Sequence, residues 1–219
     1  MDKLTEDFSK SLVNNIKEPL MDYSELGIDA FINDGVLKEL PIVSSITSVL
    51  KIGKNIYDRN LLKQTLTFIN EFNNGEINEK LVNEYIEKIR KDEKKCEEEL
   101  GRVLTILNNN IDREKSILLS KIFKSYVYSK ISWNEFCEFS EILNRLFIQD
   151  LMLLKKVRIE NVDILKNRDD NFRIERLYSL GLIGIAFKPP TYRDLKEGTI
   201  NTCRTVSSLG EKFCNIIFD

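Results

Sequence analysis

The chain has 219 residues, 42% of them hydrophobic and 31% charged, with four prolines and nine glycines. That composition excludes a disordered chain and favours a folded, largely helical protein of one domain plus a small appendage. The net charge of −2 gives no overall attraction to a phosphate backbone, and the absence of histidine removes His-activated nucleophiles, His bases and His metal ligands together. No catalytic, cofactor-binding or metal-binding residues are assigned, and the chain is read as a non-enzyme.

The first element is a short helix with Phe8, Leu12 and Ile16 four apart, stopped before Pro19. Its polar, acidic start, MDKLTEDFSK, has no apolar core of the signal-peptide kind, so a cytoplasmic protein is expected. A second helix is read over Tyr23–Gly35, with Gly35 as its terminator. The stretch KELPIVSSITSVLKIGKNIYDRN (Lys38–Asn60) is the most apolar in the chain. Pro41–Leu50 is uncharged, but ten residues of helix reach only about 15 Å, half of a bilayer core. Ile42, Val43, Ile46, Val49, Leu50, Ile56 and Tyr57 are assigned to one face. Ser44, Ser45, Thr47, Ser48, Lys51 and Lys54 form the rest. The expected role is a core helix whose small hydroxyl face admits a close neighbour. An interfacial membrane helix over residues 38–57 is the alternative.

Leu61, Leu62, Leu66, Phe68, Ile69 and Phe72 mark the next amphipathic helix, closed by Asn73-Asn74-Gly75. Val82, Ile86, Ile89, Glu93, Cys96, Leu100, Val103 and Leu107 then follow at heptad spacing. Unbroken, Asn78–Asn108 would be a helix of about 45 Å. Glu93 marks either a break or a solvent-facing overhang, and the seam is expected to pack internally rather than between chains. Gly101 is read as a close crossing. Asp112 is a candidate N-cap for the helix that follows. Ser132 and Glu135 form a capping box, followed by a core face of Phe136, Leu143, Leu146, Phe147, Leu151 and Leu154. Six or seven helices are counted between residues 4 and 157.

Several sites are weighed and set aside. Ile131 and Glu135 match the end of a calcium loop, but its first ligand positions would be Lys124, Tyr126 and Tyr128, none a carboxylate. The acidic run Cys96–Leu100 is read as a solvated helix face. Gly181 and Gly184 have no further glycine or lysine to make a phosphate loop. Cys96, Cys137, Cys203 and Cys214 lack paired spacing and are read as buried reduced thiols.

After residue 160 the pattern becomes helix, turn, helix, strand, loop, strand, helix. Leu180-Gly181-Leu182-Ile183 and Val206-Ser207-Ser208-Leu209-Gly210 resemble the corresponding steps of the winged-helix family. The resemblance covers residues 160–219. It implies that Gly181 ends a recognition helix, that a hairpin forms the wing, and that Gly210 lies in the first turn of the last helix. By the same analogy Arg168, Arg173 and Arg176 would contact nucleic acid, although Asp169, Asp170 and Glu175 sit among them. Residues 161–219 carry nine basic and eight acidic side chains, which favours protein docking or self-association over DNA. Ser24–Phe72 also resembles uncharacterised helical proteins of low-GC bacteria, some of them similar to abortive-infection (phage-defence) proteins. The expected protein is therefore mainly α, with a multi-helix domain over 1–157 and a small α+β winged-helix-like module over 160–219. Its expected role is non-catalytic interaction or regulation in bacterial phage defence. A nucleic-acid-binding regulator and a peripheral membrane protein acting through 38–57 are the alternatives.

Overall fold

The computed structural model describes residues 2–13, 40–49, 56–160, 171–187 and 202–219, with Pro189, Tyr192 and Lys196 as single positions. The helix read over Tyr23–Gly35, the segment 161–170 with Arg168, Asp169 and Asp170, and most of the loop after Phe187 lie outside the described residues. So do Ile16, Pro19, Leu50, Lys51 and Lys54, and the side chains of Ser48 and Val49. The described elements are ten helices and a two-stranded antiparallel sheet, so the fold is mainly α. Contacts divide the chain into two units, Met1–Cys137 and Glu138–Asp219. This division falls earlier than the 157–160 boundary read from the change in periodicity, because residues 138–157 pack with the C-terminal elements.

The N-terminal unit holds α1 (Lys3–Val13), α2 (Pro41–Val49), α3 (Ile56–Phe72), α4 (Glu79–Arg90), α5 (Glu93–Asn109) and α6 (Arg113–Val127). Helix α7 (Trp133–Arg145) begins in this unit. Phe123 is the hub of its core, with ring centroids of Phe68, Phe72, Tyr85 and Phe136 at 5.6–6.0 Å. Leu40, Ile42, Val43 and Ile46 are buried, and Ser45 is buried with them. The small hydroxyls let α1 and α2 come together: the Ile42 N–H donates to Ser11 Oγ at 3.1 Å, and Ser45 Oγ donates to Asp7 Oδ2. Ile56 and Tyr57, assigned to the same apolar face, are instead exposed at the start of a separate helix, α3. Among the described residues no helix is long and apolar enough to cross a membrane.

The heptad seam is interrupted. α4 ends at Arg90, and Asp92 caps α5 by accepting the Lys95 N–H at 3.0 Å. Glu93 is therefore exposed just after a break, and the seam residues on both sides of it are buried within the unit. An alanine Cβ at Gly101 would meet Thr5 Cγ2 at 4.0 Å, an ordinary contact, so that crossing does not demand glycine. The acidic run is not uniformly solvated: Glu97 and Glu98 are exposed, whereas Glu99 is 1% exposed. Asp112 occupies the N-cap of α6, but its side chain does not make the cap bond. The Ser132–Glu135 box is present in full. The Ser132 N–H and Oγ donate to Glu135 Oε2 at 2.8 and 2.9 Å, and the Glu135 N–H donates back at 3.3 Å.

The C-terminal unit contains the end of α7, then α8 (Ile148–Glu160), α9 (Asn171–Ser179), β1 (Ile183–Phe187), β2 (Thr202–Val206) and α10 (Ser208–Ile217). The core face read from Phe136 to Leu154 is split between two helices, with a break between Arg145 and Ile148. The Phe147 N–H donates to Asp150 Oδ2 at 2.7 Å, which starts α8 anew, and Phe147 is turned out of the core to 58% exposure. Gly181, at φ +72°, ends α9 with the Leu182 N–H donating to the Leu177 carbonyl at 3.0 Å. β1 and β2 pair with Ile183 opposite Val206 and Ile185 opposite Arg204. Ser207 caps α10 by accepting the Gly210 N–H at 2.9 Å. Gly210 is required by close approach: a Cβ there would stand 2.0 Å from the Leu182 carbonyl oxygen and 2.8 Å from Val206 Cγ1.

Gly210→Ala is expected to cost about 3 kcal/mol, read as a fall in the urea midpoint of the full chain. Gly184→Ala, with nothing within 4 Å of its added Cβ, is expected to be neutral or slightly stabilising. None of the four cysteines is in a disulfide, but Cys137 and Cys203 are only partly buried. Burial pushes the Cys96 and Cys214 thiols up, that of Cys214 to about 11, so little thiolate exists at either at pH 8. Native alkylation at pH 8, read by mass spectrometry, should label Cys137 and Cys203 first, with Cys96 and Cys214 reacting only after unfolding.

Candidate functional site

Large apolar side chains left in water are the clearest irregularity of the structure. Of the eleven among the described residues, eight belong to the C-terminal unit, which directs attention to that surface. In α9 the core contacts come from Ile174 and Leu177, both buried. Phe172 and Tyr178 lie off that stripe and are exposed to 56% and 44%.

Two arginines organise the two flanks of α9. The guanidinium of Arg176 lies 4.6 Å from the Phe147 ring centroid and 5.8 Å from that of Phe172. Its Nη1 also meets the fully buried carboxylate of Asp150 at 2.6 Å. On the other flank, Arg204 of β2 lies 4.4 Å from the Tyr178 ring centroid and pairs with Glu175 at 3.4 Å. Residues directly opposite in an antiparallel ladder share a face, so Ile185 stands beside Arg204. Alternation along β1 then places Phe187, 78% exposed, on that same face. The result is an aromatic and aliphatic surface threaded by guanidinium groups whose charge is met locally. Aromatic and arginine side chains of this kind supply most of the energy in protein–protein contacts.

The nucleic-acid residues inferred from the winged-helix likeness are placed differently from one another. Arg168 lies outside the described residues. Arg173 sits over the Phe172 ring at 4.8 Å, at the edge of the face. Arg176 is committed inward to Asp150. Phe147, assigned to the core, proves to be part of the surface, because the helix break at 146–147 rotates it outward. The exposure of Phe172 and Tyr178 was available in the sequence, since neither fits the Ile174–Leu177 stripe. The pairing of Asp150 with Arg176 spans 26 residues and left no local signal.

Among the described residues no group of three or more Asp, Glu or Cys side chains is placed to hold a metal ion. Comparison of the chain with protein-family models, with characterised proteins and with solved structures finds no match.

Removing the partner of a buried carboxylate leaves its desolvation uncompensated. Arg176→Ala is therefore expected to destabilise the chain by about 3 kcal/mol in equilibrium urea unfolding. Arg173→Ala should cost less than about 1 kcal/mol by the same measurement.

Proposed function

We propose that this is a non-catalytic interaction protein that docks a protein partner through the aromatic–arginine face of its C-terminal unit. The observation that carries the reading is the concentration of exposed aromatic side chains around Arg176 and Arg204. The charges of these arginines are already balanced by Asp150 and Glu175, which favours a partner with apolar side chains over a phosphate backbone. The resemblance of Ser24–Phe72 to uncharacterised helical proteins of low-GC bacteria, some of them similar to abortive-infection proteins, is what suggests a role in bacterial phage defence. The buried state of Leu40, Ile42, Val43 and Ile46 weighs against a membrane role for residues 38–57.

A nucleic-acid-binding module is the second reading. Its support is the order of α9, a left-handed Gly181, an antiparallel hairpin and a Ser-capped α10, which follows the winged-helix pattern.

The test places a photo-crosslinking amino acid at position 172 of the full chain in the producing cells, with position 80 as an exposed control. A discrete adduct at 172, absent at 80 and lost when Phe187→Ala and Tyr178→Ala are added, is the expected result. Crosslinking that is the same at both positions would overturn docking through this face. Fluorescence anisotropy with labelled duplex DNA separates the second reading. Salt-sensitive binding that Arg173→Glu abolishes, with circular dichroism unchanged, would assign the module to nucleic acid.

A further inference from the structure

Among the described residues β1 and β2 pair only with each other, so each strand has one edge with no strand beside it. The direction of the backbone groups on that edge follows from the ladder. The Ser207 N–H donates to the Leu182 carbonyl at 3.0 Å, and this pair is in step with the β1–β2 register. Bonded and unbonded pairs alternate along an antiparallel ladder. The backbone groups of Gly184 and Ala186 therefore turn toward β2, and those of Ile183, Ile185 and Phe187 turn outward. Among the described residues no backbone bond meets these outward groups.

Exposed edges are ordinarily protected by charge, proline or a bulge. β1 reads Ile-Gly-Ile-Ala-Phe in unbroken register and has none of the three. β2, by contrast, carries Arg204 and is contacted by α8. Helix α9 contacts β1, but side-chain burial fades along the strand: Ile183 is 2% exposed, Ile185 51% and Phe187 78%.

We infer that β1 pairs antiparallel with β1 of a second copy of the chain, about a two-fold axis beside Ile185. The inference rests on the reading that the C-terminal face docks protein, and it names the occupant. β1 is complementary to itself in this register. Ile185 meets its own counterpart, Ile183 meets Phe187, and Gly184 meets Ala186. Every outward donor and acceptor of both strands is then used, which no shifted register achieves. Ile185 and Phe187 extend the apolar surface across the join, on the face they share with Arg204. The small pair lies on the other face, where a Cβ added at Gly184 would have nothing within 4 Å. The Arg204 residues of the two copies stand three strand spacings apart, about 14 Å, beyond the screening length at physiological salt. A strand of five residues makes a small interface, so micromolar affinity is expected.

Sedimentation velocity of the full chain, from about 1 to about 100 µM, should show monomer passing to dimer. Ile185→Lys sets two like charges opposite each other and should weaken association at least about tenfold, with circular dichroism unchanged. Ile185→Cys should give a 185–185 disulfide on mild oxidation, mapped by mass spectrometry, because opposite Cα atoms of a bonded pair lie about 5.5 Å apart. Lys80→Cys, exposed in the other unit, should not crosslink. A chain that stays monomeric to about 100 µM, a dimer that Ile185→Lys leaves unchanged, or the absence of the 185–185 disulfide would overturn the pairing. The photo-crosslink at position 172 separates this inference from the docking reading. An adduct with a different protein from a monomeric chain removes the second copy and leaves docking in place. A dimer lost in Ile185→Lys, with equal crosslinking at 172 and 80, leaves the strand pairing and removes the wider face.

Discussion

Three carboxylates among the described residues are taken out of water, and each one fixes a place where helices meet. Asp7 of α1 receives Ser45 of α2. Glu99 of α5 receives Tyr85 of α4 and Tyr126 of α6. Asp150 of α8 receives Arg176 of α9. Apolar contacts between helices tolerate sliding, whereas a buried charge separated from its donors costs several kcal/mol. The aromatic core around Phe123 supplies the driving force for burial, and the carboxylates select one register among those that burial alone would allow.

The Glu99 arrangement also explains why the long heptad is broken. Tyr85 and Glu99 stand seven residues to either side of Asp92, and they meet only because the chain turns between α4 and α5. A continuous helix would hold them about 20 Å apart. The N-cap bond of Asp92 and the phenol–carboxylate bond therefore act on the same turn. Glu93, the charged residue on the apolar seam, marked the position of that turn, although the pattern alone did not separate a break from an overhang.

Most helices were legible because periodicity and caps are local. The Ser132–Glu135 box needed only its own four residues, and Gly181 and Ser207 needed only the elements they end. Glu99 was misread because its neighbours are acidic and solvated, while its own position, three after Cys96 and four before Val103, borders the seam. Phe147 was misread because a break of two residues shifts helical phase, and the cause of the break, Asp150, is held by a residue in another helix. Local chemistry thus identified most described elements, and the errors fell where a buried charge joins distant segments. The candidate face was legible only in part: its arginines stood out in the sequence, but their partners did not.

Arg176 connects these two kinds of feature. One end of its guanidinium meets a carboxylate with no exposure to water, and its central carbon lies near the rings of Phe147 and Phe172 at the surface. Surface aromatics held this way lose little freedom when a partner arrives, because the core has already chosen their arrangement. The same logic operates in the other unit, where Tyr126 bonds a buried carboxylate through its hydroxyl and braces Trp133 with its ring. In both units the polar group that sets the helix register also stiffens an aromatic surface. A substitution inside the core would then be felt at the surface without any contact to the ligand, through a loss of preorganisation rather than of interacting area.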